Sequence, residues 1–245
     1  VLPRGWWLFL FAHPDDDVLI AGTVWSLVER GDRVDLAWVT DSSSLGGLLR
    51  RQSESRGAAN AMGVEQSRVH FRNFPSLAMV PRLAEDFVAM RELIEAVNPD
   101  YLMTVAFEAG HTDHDCVNFL AMRAAGGRPL FEYPLYNAGN GAFQVNRFAG
   151  GTCDWQALTP EGLARKRVAM GLYASQWPYM LVARLCTGRR ACEPYRLCPP
   201  DRDYRRPPHS GTLNIDRIFN RFMGSSFADF ARAVAVFDGL FAQGG

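Results

Sequence analysis

Two hydrophobic periods take turns along the first 136 residues. Residues 7–12 (Trp-Leu-Phe-Leu-Phe-Ala) form an unbroken apolar run, the pattern of a strand covered on both faces. Residues 16–30 place Val18, Ala21, Trp25 and Val28 along one side of a helix, with Gly31 as its stop. The same alternation predicts a strand over 34–40 and a helix over 49–62 closed by Gly63. A short strand near 69–71, a helix over 82–97 ending before Pro99 and a strand over 101–105 come next. A helix over 113–125 and a strand over 129–136 complete the series. Strands separated by helices of this length imply right-handed βαβ crossovers and a mostly parallel sheet. The expected class is α/β, a Rossmann-like three-layer sandwich.

The alternation stops after Asn137. Residues 137–157 are rich in Gly, Asn and aromatics and read as a long loop or irregular strands. Thr159-Pro160-Glu161 opens a helix with a capping hydroxyl and a Pro at its first position, running to about Tyr173. Residues 184–211 carry seven Arg, five Pro and three acids and read as an extended arm. A last helix over about 226–241 offers Phe227, Phe230, Val234 and Phe237 for packing. The expected organisation is a catalytic core over 1–177 and an extension over 178–245 packed on the same domain.

Composition narrows the function classes. The 245 residues hold 26 basic and 26 acidic side chains, and zero net charge argues against nucleic acid held by bulk electrostatics. The zero hides an asymmetry. Residues 1–122 carry ten Arg against seventeen acids, or −7, and residues 123–245 fifteen Arg and Lys166 against nine, or +7. The first apolar run is far short of the roughly 20 residues that span a bilayer, so no transmembrane segment is expected. Five cysteines, none in CxxC pairs, suit reduced thiols and a cytoplasmic location, with one disulfide within Cys186, Cys192 and Cys198 left open.

In doubly wound sheets ligands gather beyond the carboxyl ends of the strands. The first strand ends in Ala12-His13-Pro14-Asp15-Asp16-Asp17 with no Gly-rich turn, so there is no cradle for a dinucleotide pyrophosphate, and three carboxylates would repel one. The same cluster suits a divalent cation. Acids at a helix start contribute only about 0.3–1 kcal/mol each, which accounts for one or two of them but not for an imidazole beside three. A second group, His111-Thr112-Asp113-His114, follows the fourth strand. With His13 and Asp16 it completes a His/Asp/His site with an open position, catalytic in type. His70 and His209 have no comparable neighbours in sequence and read as bystanders.

The Ala-His-Pro-Asp-Asp run and the His-x-Asp-His group resemble the PIG-L/LmbE-like superfamily of zinc-dependent N-acetylglucosaminyl de-N-acetylases, whose fold is a Rossmann-like sheet. Arg51-x-x-Glu54, Lys166, the run from Tyr173 to Gln176 and, more weakly, Glu193-Pro194-Tyr195-Arg196 look like further landmarks. The resemblance implies His13, Asp16 and His114 as metal ligands, Asp15 as general base toward the activated water and His111 as a cationic oxyanion stabiliser. It implies Asp113 as the residue that orients a neighbouring imidazole. The family usually has Glu where this chain has Asp17. The implied cofactor is Zn2+, with another divalent transition metal open, since His/Asp/His sets also take iron, cobalt or manganese.

The function expected from these readings is hydrolysis of an acetyl or other small acyl group from an N-acylated amino sugar in a glycoconjugate, small thiol precursor or natural product. Alternatives are a thiol-conjugate amidase, a metal-dependent hydratase, or a non-catalytic metal- or sugar-binding module. Arg51, Ser175 and Gln176 are candidate substrate contacts. For Arg51 and Glu54 an i,i+3 surface pair is an equal reading, and for Ser175 and Gln176 a helix-end cap is. Partners are a small amino-sugar substrate and no nucleic acid, with a homo-oligomer open. The Arg-rich arm is expected either to meet an anionic group of substrate or partner, or to be a solvated loop.

Overall fold

In the computed structural model, which describes residues 1–42, 47–213 and 225–241, the alternation becomes β1 (Trp6–Phe11), α1 (Ala21–Glu29), β2 (Arg33–Thr40), α2 (Leu48–Ala61), β3 (Val69–Phe74) and α3 (Leu83–Val97). These are followed by β4 (Tyr101–Val105), α4 (Thr112–Ala124), β5 (Leu130–Tyr133), the short pair β6 (Tyr136–Asn137) and β7 (Gln144–Val145), then β8 (Asp154–Ala157) and α5 (Pro160–Leu172). The last elements are α6 (Trp177–Thr187), β9 (Cys192–Leu197) and α7 (Phe227–Phe241). The main sheet has the order β3-β2-β1-β4-β5-β9-β8. Its first five strands are parallel, and β9 runs antiparallel to β5 and β8. The expected α/β class with a mostly parallel sheet is what forms.

Every residue from Trp7 to Ala12 is fully buried. Such a strand accepts apolar side chains on both faces, each large one contributing about 1.5–3 kcal/mol. The chain moves from β1 outward to β2 and β3, then returns to β4 on the other side of β1. That reversal opens a crevice beyond the carboxyl ends of β1 and β4, where both chemical motifs stand.

Two stretches differ from the sequence reading. Residues 16–30 are not one helix. Asp16–Leu19 form a 3-10 turn and α1 begins only at Ala21, with Ile20 at φ −124°, ψ 9° between them. The break follows from side chains turned inward, since Asp16 and Asp17 are buried and engaged as described below. Residues 184–211 are not simply an extended arm, because 192–197 joins the sheet as β9, with Glu132 opposite Arg196. Buried Glu193, Pro194 and Tyr195 make that strand, and the proline is tolerated because it is paired on one side only, with Trp155 of β8, while β5 pairs with Arg196 and Leu197. The five cysteines are all free, so no disulfide links Cys186, Cys192 and Cys198. The C-terminal helix packs as its apolar stripe predicts: Phe237 meets Phe87 and Phe119 edge-on at 5.2 and 5.1 Å.

Candidate metal centre at the strand ends

The backbone leaves β1 through a tight turn. Asp15 takes a positive φ of 108°, a region that favours glycine, and three contacts hold it there. The Asp16 carboxylate accepts the His13 N–H at 2.7 Å, the Asp17 carboxylate accepts the Asp15 N–H at 3.3 Å, and the buried Arg51 guanidinium donates to the Pro14 carbonyl. Asp17 is fully buried and accepts from the Tyr173 hydroxyl at 2.6 Å and the Trp38 indole at 3.3 Å. Burial pushes its carboxyl up to about 6 against those donors. On the other side of the crevice, α4 starts at His111, whose Nδ1 accepts the Asp113 N–H at 3.1 Å.

These turns bring His13, Asp16 and His114 onto one point. His13 Nδ1 lies 3.0 Å from His114 Nε2 and 3.6 Å from Asp16 Oδ2, and His114 Nε2 lies 3.4 Å from Asp16 Oδ1. Ligand atoms about 2.1 Å from a tetrahedral cation stand ~3.4 Å apart, so the triangle has the size such an ion needs. His111 offers the wider alternative, its ligand atom within 4.8 Å of those of His13 and His114.

The donor set also fits a cation on chemical grounds. His13 uses its second nitrogen against Asp113 Oδ2 at 3.0 Å, the carboxylate-imidazole arrangement that fixes a metal-binding tautomer. Asp113 is itself fixed by the Ser76 hydroxyl at 3.1 Å and the Leu77 N–H at 2.8 Å. Asp15, Asp16, Asp17 and Asp113 crowd a space in which Arg51 stands 3.7 Å from Asp15. Oδ2 of Asp17 and Oδ1 of Asp113 are buried without a hydrogen-bond partner among the described residues.

The electrostatics follow from that crowding. Burial pulls the His13 imidazole down, but hydrogen bonds to Asp113 and Asp16 hold it up at about 10. Burial pushes the Asp16 carboxyl up, yet His114 and His13 bring it well below the carboxylate range. Burial raises Asp15 to about 7, with Arg51 pulling the other way. His111 is pushed down to about 3, by burial first and then by the His13 charge. In its neutral form, with Nδ1 accepting the Asp113 N–H, the ring carries its proton on Nε2.

The remaining expected site residues are brought close but face inward. Arg51 is buried rather than paired on the surface with Glu54, and its Nη1 donates to Ser175 Oγ at 3.3 Å. Glu54 accepts the Ser175 N–H at 2.8 Å and its hydroxyl. Gln176 is buried, its amide donating to the Ser175 carbonyl at 3.0 Å. Arg51 therefore braces the Asp15 turn, with Ser175 and Glu54 behind it. Residues 43–46 of the loop after β2 lie outside the described residues. Sequence reading missed Ser76, Leu77 and Trp38; for Ser76, its place just past the carboxyl end of β3 was a usable signal. It also missed Tyr136, whose ring meets that of His114 at 5.5 Å.

Comparison with known proteins agrees with this architecture. Residues 8–125 match the model of the PIG-L family, GlcNAc-PI de-N-acetylase, so the resemblance carried by the two motifs holds over β1 to α4. No curated protein matches the chain. Among solved structures, the A40926 pseudoaglycone deacetylase is 19% identical with a TM-score of 0.61, over 79% of this chain and 96% of that one. The zinc-inhibited form of a teicoplanin deacetylase is 18% identical at 0.58, over 78% and 98%. The 4-carboxy-2-hydroxymuconate hydratase from Pseudomonas putida KT2440 is 17% identical at 0.58, over 78% and 93%. At these identities the likeness is one of fold. Among the described residues no helix is long and apolar enough to cross a membrane.

Proposed function

We propose that this protein is a metal-dependent hydrolase that removes an acetyl or other small acyl group from an N-acylated amino sugar. The observation that carries the reading is the triangle of His13 Nδ1, Asp16 and His114 Nε2 at 3.0, 3.4 and 3.6 Å, within a segment that matches a de-N-acetylase family. Those three residues would hold the cation, and Asp113 fixes the His13 ring by accepting from Nε2. A divalent ion bound there supplies Lewis acidity toward water and toward the amide carbonyl.

The chain's own groups supply the rest. Asp15 takes the proton of the attacking water on its carboxylate, and its elevated pKa of about 7 suits a base working near neutrality. His111 Nε2–H donates to the oxygen that gains negative charge as the carbonyl carbon becomes tetrahedral. When the C–N bond breaks, Asp15 returns the proton to the departing amine, leaving acetate and a free amino sugar. Arg51 holds the Pro14 carbonyl and the Asp15 carboxylate so that this group keeps its aim.

Zinc is the first metal to test, and iron, cobalt and manganese belong beside it, since one similar structure is a zinc-inhibited form. The deciding experiment measures acetate release from N-acetylglucosamine conjugates after chelation and after each metal is restored. The expected result is metal-dependent release. Hydration of an alkenoic acid, or stoichiometric metal binding with every amide untouched, overturns the reading.

A further inference from the structure

The exposed side of α6 is apolar along most of its length. Trp177, Leu181 and Leu185 recur every four residues and so share one stripe, and they are 67%, 50% and 77% exposed. Val182 stands exposed beside them, while buried Met180, Ala183 and Thr187 form the side turned to the rest of the fold. α6 packs on α5, whose Val168 and Leu172 are also exposed. Apolar side chains scattered singly are normal on a protein surface, whereas a row of them marks a contact. We propose that this face docks the protein on an anionic lipid surface, with the α6 stripe in the hydrocarbon boundary and the arginines at its carboxyl end on lipid phosphates.

The charge pattern is independent of the stripe. Residues 162–192 hold Arg165, Lys166, Arg167, Arg184, Arg189 and Arg190 and no acid. Arg165 and Lys166 meet the carboxylates of Glu161 and Glu193, each at 2.7 Å, and Arg167 donates to the Gly188 carbonyl at 2.7 Å. Arg190 donates to the Asn146 and Cys186 carbonyls at 2.9 and 3.4 Å. Burial first and then the Arg147 charge lower its pKa, and the groups that oppose them are thiols, not carboxylates. Arg184 and Arg189 are exposed and form no ion pair among the described residues. The end of α6 does not need these two side chains as caps. Its carbonyls at 184, 186, 187 and 188 already accept from the Gly188 and Arg190 N–H groups and from the Arg190 and Arg167 side chains.

Tryptophan at one end of such a stripe, leucine along it and arginine at the other end is the composition of helices that lie in a lipid boundary. A second copy of the chain fits less well. Across a two-fold contact the same face recurs, and residues 162–192 have no carboxylate to meet the arginines. At eleven residues α6 is too short to cross a bilayer and would lie along it. The helix begins two residues after Ser175, which accepts from the same Arg51 that holds the Pro14 carbonyl, so docking sets the metal centre close to the lipid boundary. The inference uses none of the residues of the proposed hydrolysis and stands without it.

The test is co-sedimentation of the full chain with vesicles of phosphatidylglycerol and phosphatidylcholine in equal parts and, separately, of phosphatidylcholine alone. The expected result is saturable binding to the mixed vesicles that weakens with added salt and is much weaker on phosphatidylcholine. Leu181→Gln and Leu185→Gln should each weaken it about tenfold, and Arg184→Gln and Arg189→Gln each about fivefold, on the mixed vesicles only. All four residues are exposed, so circular dichroism should show an unchanged fold; where one variant of a pair loses it, the other decides. No binding, equal binding to both kinds of vesicle, or binding that the two leucine variants leave unchanged overturns the proposal. So does a dimer in lipid-free sedimentation that Leu185→Gln dissociates, which assigns the face to a second copy.

Discussion

One short turn, Asp16–Leu19, separates two buried charge clusters that end in opposite ways. On one side Lys166, the only lysine of the chain, is fully buried and meets Glu193 Oε1 at 2.7 Å. Glu193 also accepts the Gly22 and Thr23 N–H groups and the Thr23 hydroxyl, and Lys166 reaches the Leu19 carbonyl at 3.5 Å. Each charge there is answered by a group of this chain. On the other side Asp15, Asp16, Asp17 and Asp113 share Arg51 and a raised His13, with ring nitrogens of His13 and His114 3.0 Å apart beside the Asp16 carboxylate. A self-contained ion pair ties α5, β9 and the start of α1 together. An acid-rich cluster in which two imidazole nitrogens and a carboxylate converge has a shape that a cation completes.

Several substitutions break or sharpen that contrast. Asp16→Ala or His114→Ala should abolish metal retention, read by elemental analysis, and acetate release with it; full occupancy in either variant breaks the contrast outright. Lys166→Met should lower stability by about 3–5 kcal/mol, because Glu193 is left charged and unpaired. The double variant with Glu193→Leu should recover a large part of the loss in a denaturant titration, and metal stoichiometry in the folded fraction should not change. His111→Ala should keep the metal and lose about 100- to 1000-fold in kcat; loss of metal would assign it instead to the ligand set. Tyr173→Phe, which removes one donor from Asp17, should cost about 1 kcal/mol.

The smallest effect concerns pH. Asp15 must be ionised to accept a proton, so kcat/KM should fall as pH drops through about 7. Arg51 favours the ionised form, so Arg51→Met should move that acidic limb to higher pH; a limb that stays in place would leave Arg51 only its bond to the Pro14 carbonyl.

How much of this was legible in the chain depends on what kind of interaction set each feature. The strands and helices of the core followed from period, and the sheet class followed from their alternation, because burial of apolar faces is written residue by residue. The strand-end chemistry was legible for the same reason: His13, Asp15 and Asp16 are adjacent, and so are His111, Asp113 and His114. Arg51, Glu54 and Ser175 were visible as landmarks, yet their roles were not, since a residue 124 positions from its partner gives no local sign of it. The arm misled for a related reason. Its prolines and arginines suit a loop, but tertiary contact with β5 made part of it a strand and turned Arg196 and Arg202 onto Glu132.

The split in charge between the halves gains a cause in the same way. The acidic excess of residues 1–122 is partly the Asp15–Asp17 and Asp113 cluster, and the basic excess of residues 123–245 partly the two guanidiniums around Glu132. By itself the sequence determined the elements, the edge of the sheet at which chemistry gathers and the residue types assembled there, because these depend on near neighbours and on strand order. Only the tertiary structure decided which charges are answered within the chain and which are left facing a space. Neutralisation in a buried site depends on distances of three to four ångströms between residues far apart in sequence, and only folding sets those distances.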